Sequence, residues 1–281
     1  MHQLALEGMP APLYPATPAR LTTYLDCPRR YRFGYLDRPT PSRGAPWAHN
    51  SVGAAVHTAL ARWWQLPRER RTPTAGGRLL VDAWLTDGFR DERQALEARK
   101  RARTYVEGYL SHVDPDDMPL AVERSVSVRT EHASLWGRLD RLDDRAGEGL
   151  VVVDYKTGRS VLSVEDSRSS LALAVYAAAA GRTMRRRCRR VELHHLPSGE
   201  VLAWEHTDDS LGEHLDRADR VAAVLADLDA RFGAGMSRAE ADEAFPARVA
   251  PRCGWCDFRP VCEPGRSVPP HRPWDGVAAP R

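Results

Sequence analysis

At 281 residues, 42% of them hydrophobic, the chain is long enough for one large domain with a sizeable core, and no apolar run reaches the ~20 residues of a membrane-spanning helix. The net charge of +3 does not by itself announce a nucleic-acid binder. Of the 41 Lys plus Arg only Lys100 and Lys156 are lysine, and neither follows glycine, so the chain lacks the Gly-Lys-Ser/Thr loop of a phosphate-loop motor.

Residues 1–18 are rich in Pro and Ala and read as a disordered lead. They lack the basic start and apolar centre of a signal peptide, so the expected compartment is the cytoplasm, where disulfides are disfavoured. A short helix is predicted from about Thr22 towards Cys27, then a Pro/Gly loop at 37–47, and helices near 50–65, 76–90 and 93–112. Three strands follow, at 121–129, 133–143 and 149–157, with DRAGEG (144–149) as the last turn. An alanine-rich helix at 167–181 precedes strands at 191–196 and 200–206, and a helix at 208–232 closes the core. From Pro264 the chain is again Pro-rich and reads as a flexible tail. This order predicts an α/β fold with a mixed central sheet flanked by helices. Arginine clusters at 29–32, 68–71, 99–103 and 185–190 are candidates for tracking a phosphate backbone, or simply solvated faces.

The segment 149–157 carries the chemistry. Val151, Val152 and Val153 form the continuous apolar run of a strand covered on both faces. Asp154 and Lys156 follow on one face, because strand side chains alternate. A hairpin with 133–143 would set Asp140 beside Asp154. Two adjacent carboxylates repel unless a cation lies between them. Mg²⁺ suits such a site, because it takes a few carboxylates, waters and substrate phosphate, and can activate a water for attack. The plain alternative is a surface ion pair at a strand end. His57 and Gly53 share one helix face, four residues apart. There is no isoleucine and one asparagine, Asn50, a bias suggesting a GC-rich genome in which arginine displaced lysine. A lysine that persists marks a place where a compact ammonium serves and a planar guanidinium does not.

Taken together, Gly53…His57, GRLDR (137–141) and DYKTG (154–158) resemble the motifs of RecB-type nucleases in the PD-(D/E)XK superfamily, over roughly residues 20–263. The resemblance implies a restriction-endonuclease-like core and a DNA exonuclease or end-processing activity dependent on Mg²⁺ or Mn²⁺. It implies that His57, Asp140, Asp154 and the carbonyl of Tyr155 bind the metal and that Lys156 is the catalytic lysine. Glu123, Tyr176 and Arg141 are accessory candidates. DNA is the implied substrate, with a helicase or repair complex as partner. One departure is Ala172, at the position where these nucleases usually carry Gln, four residues before Tyr176. It keeps open an inactive module that grips DNA ends. A CRISPR-adaptation or RNA nuclease is the other alternative.

Cys253, Cys256 and Cys262 form a Cys-x-x-Cys pair with a third thiol five residues on, and a tetrahedral thiolate site needs a fourth, Cys27 or Cys188. The element around Cys27 resembles that of AddB-type iron–sulfur nucleases and CRISPR-associated relatives. There, one cysteine before the core and three after it hold a 4Fe–4S cluster. The resemblance therefore implies such a cluster on Cys27, Cys253, Cys256 and Cys262, clasping the two ends of the nuclease domain, with Cys188 a bystander. Zinc on the same thiolates, or a free redox pair, are the rival readings.

Overall fold

A computed structural model describes residues 12–277. The chain opens with a short strand β1 (Tyr14–Ala16) and two helices, α1 (Pro18–Asp26) and α2 (Pro28–Tyr35). Each helix starts on a proline, whose missing N–H costs nothing in a first turn, and the Thr17 side chain caps α1 by accepting from Arg20 N. Cys27 lies between them in extended conformation. A three-helix layer follows: α3 (Ala48–Trp64), α4 (Pro73–Asp82) and α5 (Glu92–Leu110). Strands β2 (Ala121–Arg129), β3 (Ala133–Arg145) and β4 (Gly149–Lys156) then lead to α6 (Val164–Arg168) and α7 (Leu171–Met184). Strands β5 (Cys188–His195) and β6 (Glu200–Glu205) and helices α8 (Asp208–Gly233) and α9 (Arg238–Ala244) complete the order.

The sheet is mixed: β4 is antiparallel to β3, parallel to β5, and β5 is antiparallel to β6. The apolar run of β4 is buried on both sides. Leu150 and Val152 join the core beneath α1, α7 and α8, while Val151, Val153 and Tyr155 join the core beneath α3, α4 and α5. Each such fully buried side chain contributes about 1.5–3 kcal/mol, which fixes the register of the central strand. The mixed α/β class agrees with the sequence reading.

The sheet is split at one edge. Leu135 of β3 pairs with both β1 and β2, and Arg141 pairs with both β2 and β4. A residue has one partner on each side, so β1 and β4 lie on the same edge of β3. Between Leu135 and Arg141 that edge has no ladder partner among the described residues. Because β1 runs parallel to β3 and β4 antiparallel, their C-terminal ends point at each other across the opening.

Several expectations shift. The helix predicted at 167–181 is two helices, because Ser170 caps α7 by accepting from Leu173 N and a Ser163–Asp166 capping box starts α6. The first helix begins at Pro18, not near Thr22, and α4 ends at Asp82, not near 90. Residues 1–11 of the disordered lead lie outside the described residues, but 14–16 form β1. The flexible tail is corrected over 264–277. Pro273 accepts from Ala48 N at 3.0 Å, Arg101 Nη2 donates to the Val277 carbonyl at 2.7 Å, and Val277 is buried against the α3 layer.

Candidate active site

The opening in β3 is where the sequence-predicted residues meet. The β3–β4 register runs from Arg145↔Gly149 to Arg141↔Val153, so its next rung sets Asp140 opposite Asp154. The ladder stops there, and the freed Tyr155 N–H donates instead to Asp140 Oδ2 at 2.8 Å. The other carboxylate oxygen faces His57 Nδ1 at 3.2 Å, and His57 Nε2 lies 3.1 Å from the Tyr155 carbonyl. Across the other edge of β3, the β2 register sets Glu123 opposite Asp140. Its φ of 50° puts a non-glycine residue in the left-handed region, a strained turn out of the strand. His57, Glu123 and Asp140 each offer a ligand atom within 4.8 Å of the others. Lys156, half exposed, sets its ammonium 2.6 Å from Asp154 Oδ2.

Helix α3 passes the end of β4 at Gly53, one turn before His57, where a Cβ would lie in ordinary contact with Thr157 Oγ1 at 3.5 Å. At Gly137 on β3 the absence of a side chain is required. A Cβ at that position would sit 2.4 Å from the Tyr176 ring, so glycine lets α7 lay Tyr176 over the strand beside the carboxylates. Burial pushes the Tyr176 phenol up to about 12, with the charges of Asp154 and Asp140 adding to it.

Electrostatically the site holds an excess of negative charge. Burial raises the Asp154 carboxyl, the Lys156 ammonium opposes that, and the charge of Asp140 raises it further. Glu123 is also raised, by burial and by Asp140, against Arg138 and His57. Burial opposes a charge on His57, yet the Asp140 hydrogen bond and the charges of Asp140, Asp154 and Glu123 outweigh it and raise its pKa.

Two observations test whether a divalent cation suits these residues. Both ring nitrogens of His57 face acceptors, but a neutral imidazole has one N–H. One contact therefore lacks a donor unless the ring is protonated or a cation replaces the proton. Asp154 is buried beside Asp140, whose charge raises its carboxyl even though Lys156 pairs with its Oδ2 at 2.6 Å. An imidazole, carboxylates and a carbonyl converging with spare acceptor capacity form a donor set that fits Mg²⁺ or Mn²⁺.

Arg141 does not join the group, which corrects its accessory placement. It lies on the α3 side, buried against the Tyr155 and Tyr109 hydroxyls and Asp143, although Leu139, two residues before it, lies in the opposite core. Ala172 leaves the corresponding face of α7 without an amide. Arg138, overlooked in the sequence, pairs with Glu123 at 2.6 Å. Its place in GRLDR, two residues before Asp140 on the same face, was the available signal.

The cysteines form a second assembly. Cys27, Cys253, Cys256 and Cys262 line one cavity with Arg29, Arg30 and Phe258, while Cys188 is buried elsewhere, at the start of β5. Gly265 leaves room there, since a Cβ would approach Cys262 Sγ to 3.3 Å. The thiolates of a single tetrahedral zinc lie about 3.8 Å apart, from bonds of ~2.3 Å. Here no three of the four sulfurs fall within 4.8 Å of one another. The segment is tied to α3: the Asp257 carboxylate accepts from Trp47 Nε1 at 2.7 Å, its carbonyl accepts from Gly44 N at 2.6 Å, and Trp255 packs on Trp47 and His49. Several arginines of the four clusters are paired with carboxylates, as in Arg29 and Arg32 with Asp242, Arg103 with Glu107, and Arg186 with Asp144.

A family model of the PD-(D/E)XK nuclease superfamily matches residues 15–263, and the chain belongs to that superfamily. Among solved structures, the protein designated SSO0001 is 12% identical with a TM-score of 0.39, over 93% of this chain and 88% of its own. A protein from Eubacterium rectale, described as a candidate exonuclease, is 11% identical with a TM-score of 0.40, over 79% of this chain and 88% of its own. No curated protein matches the chain.

Proposed function

We propose that this PD-(D/E)XK superfamily nuclease is a RecB-like, Mg²⁺- or Mn²⁺-dependent DNA exonuclease that trims ends in repair or recombination, working with a helicase or repair partner. The observation that carries the reading is the meeting of His57, Asp140, Asp154, the Tyr155 carbonyl and Lys156 at the split edge of β3. In this reading the first four hold the metal. Bound there, a divalent ion lowers the pKa of water and offsets charge developing on phosphorus.

The protein's own groups do the rest. Asp140 locks the end of β4 through Tyr155 N–H and orients His57 through its other oxygen. Asp154, paired with Lys156 through Oδ2, would supply a second carboxylate to the metal. Lys156, held at the strand end by Asp154, places its ammonium where an attacking hydroxide or the charged phosphorane would be steadied. Tyr176 covers the α7 side.

We further assign a 4Fe–4S cluster to Cys27, Cys253, Cys256 and Cys262. Their shared cavity supports a common metal-bound group, and the choice of a cluster over a single zinc rests on the resemblance of the element around Cys27. The cluster would close the fold by joining the α1–α2 junction to the segment after α9. The inactive end-binding module keeps one supporting observation, Ala172.

The test uses protein purified without air and end-labelled single- and double-stranded DNA, with Mg²⁺ or Mn²⁺ and a chelator control. Metal-dependent release of short products supports the nuclease, and tight end binding without cleavage supports the alternative. Iron and sulfide analysis is expected to give about four irons per chain. The content should be lost in Cys27→Ala and kept in Cys188→Ala. One zinc with no iron would replace the cluster by a zinc clasp.

A further inference from the structure

An open groove of about 510 Å³ begins where β4 ends, and nothing in the catalytic constellation uses it. Its catalytic-side wall is Thr157, the residue after Lys156, with Val52 of α3 beside it. From there it runs between α5 and the loop after β4, past Arg101, Arg159, Val161 and Pro197. The floor at Thr157 is fixed. Leu196 N donates to the Lys156 carbonyl at 3.0 Å, and His195 Nε2 lies 2.7 Å from the Gly158 carbonyl.

Two features of the lining point to its occupant. Arg101 and Arg159 come from separate elements, yet both are tied to the same short segment: Arg101 donates to the Val277 carbonyl at 2.7 Å and Arg159 to that of Asp275 at 3.5 Å. Neither has a carboxylate partner among the described residues. A guanidinium has five N–H donors, so each keeps most of its donors free while one holds it in place. Beside them stand apolar groups that a folded protein normally hides. Val161 is 92% exposed, and Pro197 is exposed as well. Anchored guanidinium groups for phosphates, interleaved with apolar surface for base faces, suit an unpaired strand. A duplex keeps its base faces stacked inside and offers none. Glu200 is the one acid of the lining among the described residues and is engaged by Ser198 Oγ at 2.9 Å.

We infer that this groove holds single-stranded DNA flanking the phosphate at the metal site, with Arg101 and Arg159 as positioning residues for its backbone. The inference rests on the nuclease reading of the neighbouring site, and it makes the substrate strand at that site unpaired.

The test is fluorescence anisotropy with a labelled oligothymidylate and a duplex of equal length, in EDTA so that neither is cut. Arg101→Ala and Arg159→Ala should each weaken single-strand binding about tenfold. Each should also flatten the salt dependence by roughly 0.7 for every phosphate that is no longer neutralised. Duplex binding should not change, and Arg→Lys at either position should recover most of the affinity. Both side chains are exposed, so the variants fold. Wild-type affinity in the double alanine variant, or an equal loss with duplex, overturns the groove. Hydrolysis of bis(4-nitrophenyl) phosphate with Mn²⁺, which needs only the metal site, should stay at the wild-type level in these variants. A loss there would mean the arginines act on the metal site and would also overturn the inference. Wild-type protein inert towards that ester would refute the nuclease reading, while the binding arm in EDTA still decides the groove.

Discussion

The sheet carries two clusters of charge, one rung apart on β4 and on opposite faces. Glu192 pairs across from Val153 and faces the α5 side, whereas Asp154 is the next residue and faces α7. Around Glu192, acids and bases are matched. Arg145 grips it through both oxygens, Arg190 and His194 complete the set, and Asp143 joins Arg141 to Arg145. Burial alone would raise the Glu192 carboxyl, but these donors hold it far below the ordinary carboxylate range. In the notch the directions reverse. Asp154 and Glu123 are raised, and His57 is pulled towards protonation. One cluster is an ion network that has everything it needs, and the other lacks positive charge. That difference separates a structural role from a metal-seeking one better than burial does.

The contrast can be broken most directly at the notch. Asp154→Asn, Asp140→Asn and Lys156→Ala should each lower cleavage by roughly 10³-fold or more. The Asp154 and Asp140 variants should melt no lower than wild type, and about 1 kcal/mol of added stability would be in keeping with relieved repulsion. Full cleavage in any of the three, with contaminating nuclease excluded, would sink the assignment. Glu192→Gln should do the opposite, costing about 2 kcal/mol in urea unfolding because it removes the charged partner of two half-buried guanidinium groups, while divalent-metal affinity is unchanged. The pH dependence has a definite sign. A carboxyl depressed in the folded state contributes stability above its unfolded value near ~4.3, and loses it as pH falls through the folded one. Wild type should therefore lose stability below about pH 4 more steeply than Glu192→Gln, and parallel curves would show that the network is not linked to folding. Gly137→Ala should cost about 2 kcal/mol, since its Cβ must displace the Tyr176 ring from 2.4 Å. A neutral result in calorimetry would mean that α7 can retreat. Lys156→Arg keeps the charge and should still lose about tenfold or more in kcat. Wild-type rates would mean that charge alone serves at this position.

Much of this was legible in the sequence because β4 encodes it twice. Its valine run specifies a strand buried on both faces, and the alternation that follows delivers Asp154 and Lys156 together. The partner strand could be placed because only a short turn separates β3 from β4. What escaped reading depends on pairings between distant residues or on single dihedrals. Three residues of β1 acquire strand character only by pairing Tyr14 with Ala133. The left-handed Glu123 sits in a segment whose composition is that of an ordinary strand. Arg141 is easily misplaced because the face alternation of β3 is interrupted between Leu139 and Leu142, which share one core, and nothing in the motif signals that break. The Pro-rich end reads as loose because composition does not reveal that Trp274 and Val277 find a hydrophobic floor on the α3 layer.

The double grip of Asp257 on Trp47 and Gly44 has a practical consequence for anyone handling the protein. Trp47 is the residue on which α3 begins, and α3 carries His57 three turns further along its length. A preparation whose cysteines have been oxidised need not unfold to become inactive. A small shift of the 253–262 segment would be passed along a stiff rod to the imidazole. Such a sample would elute as a monodisperse peak and keep its helical signal while its affinity for Mn²⁺ fell. Inactivity in air-exposed stock would then be a lever-arm error, detectable by comparing Mn²⁺ titrations of wild type and Asp257→Ala, both prepared without oxygen.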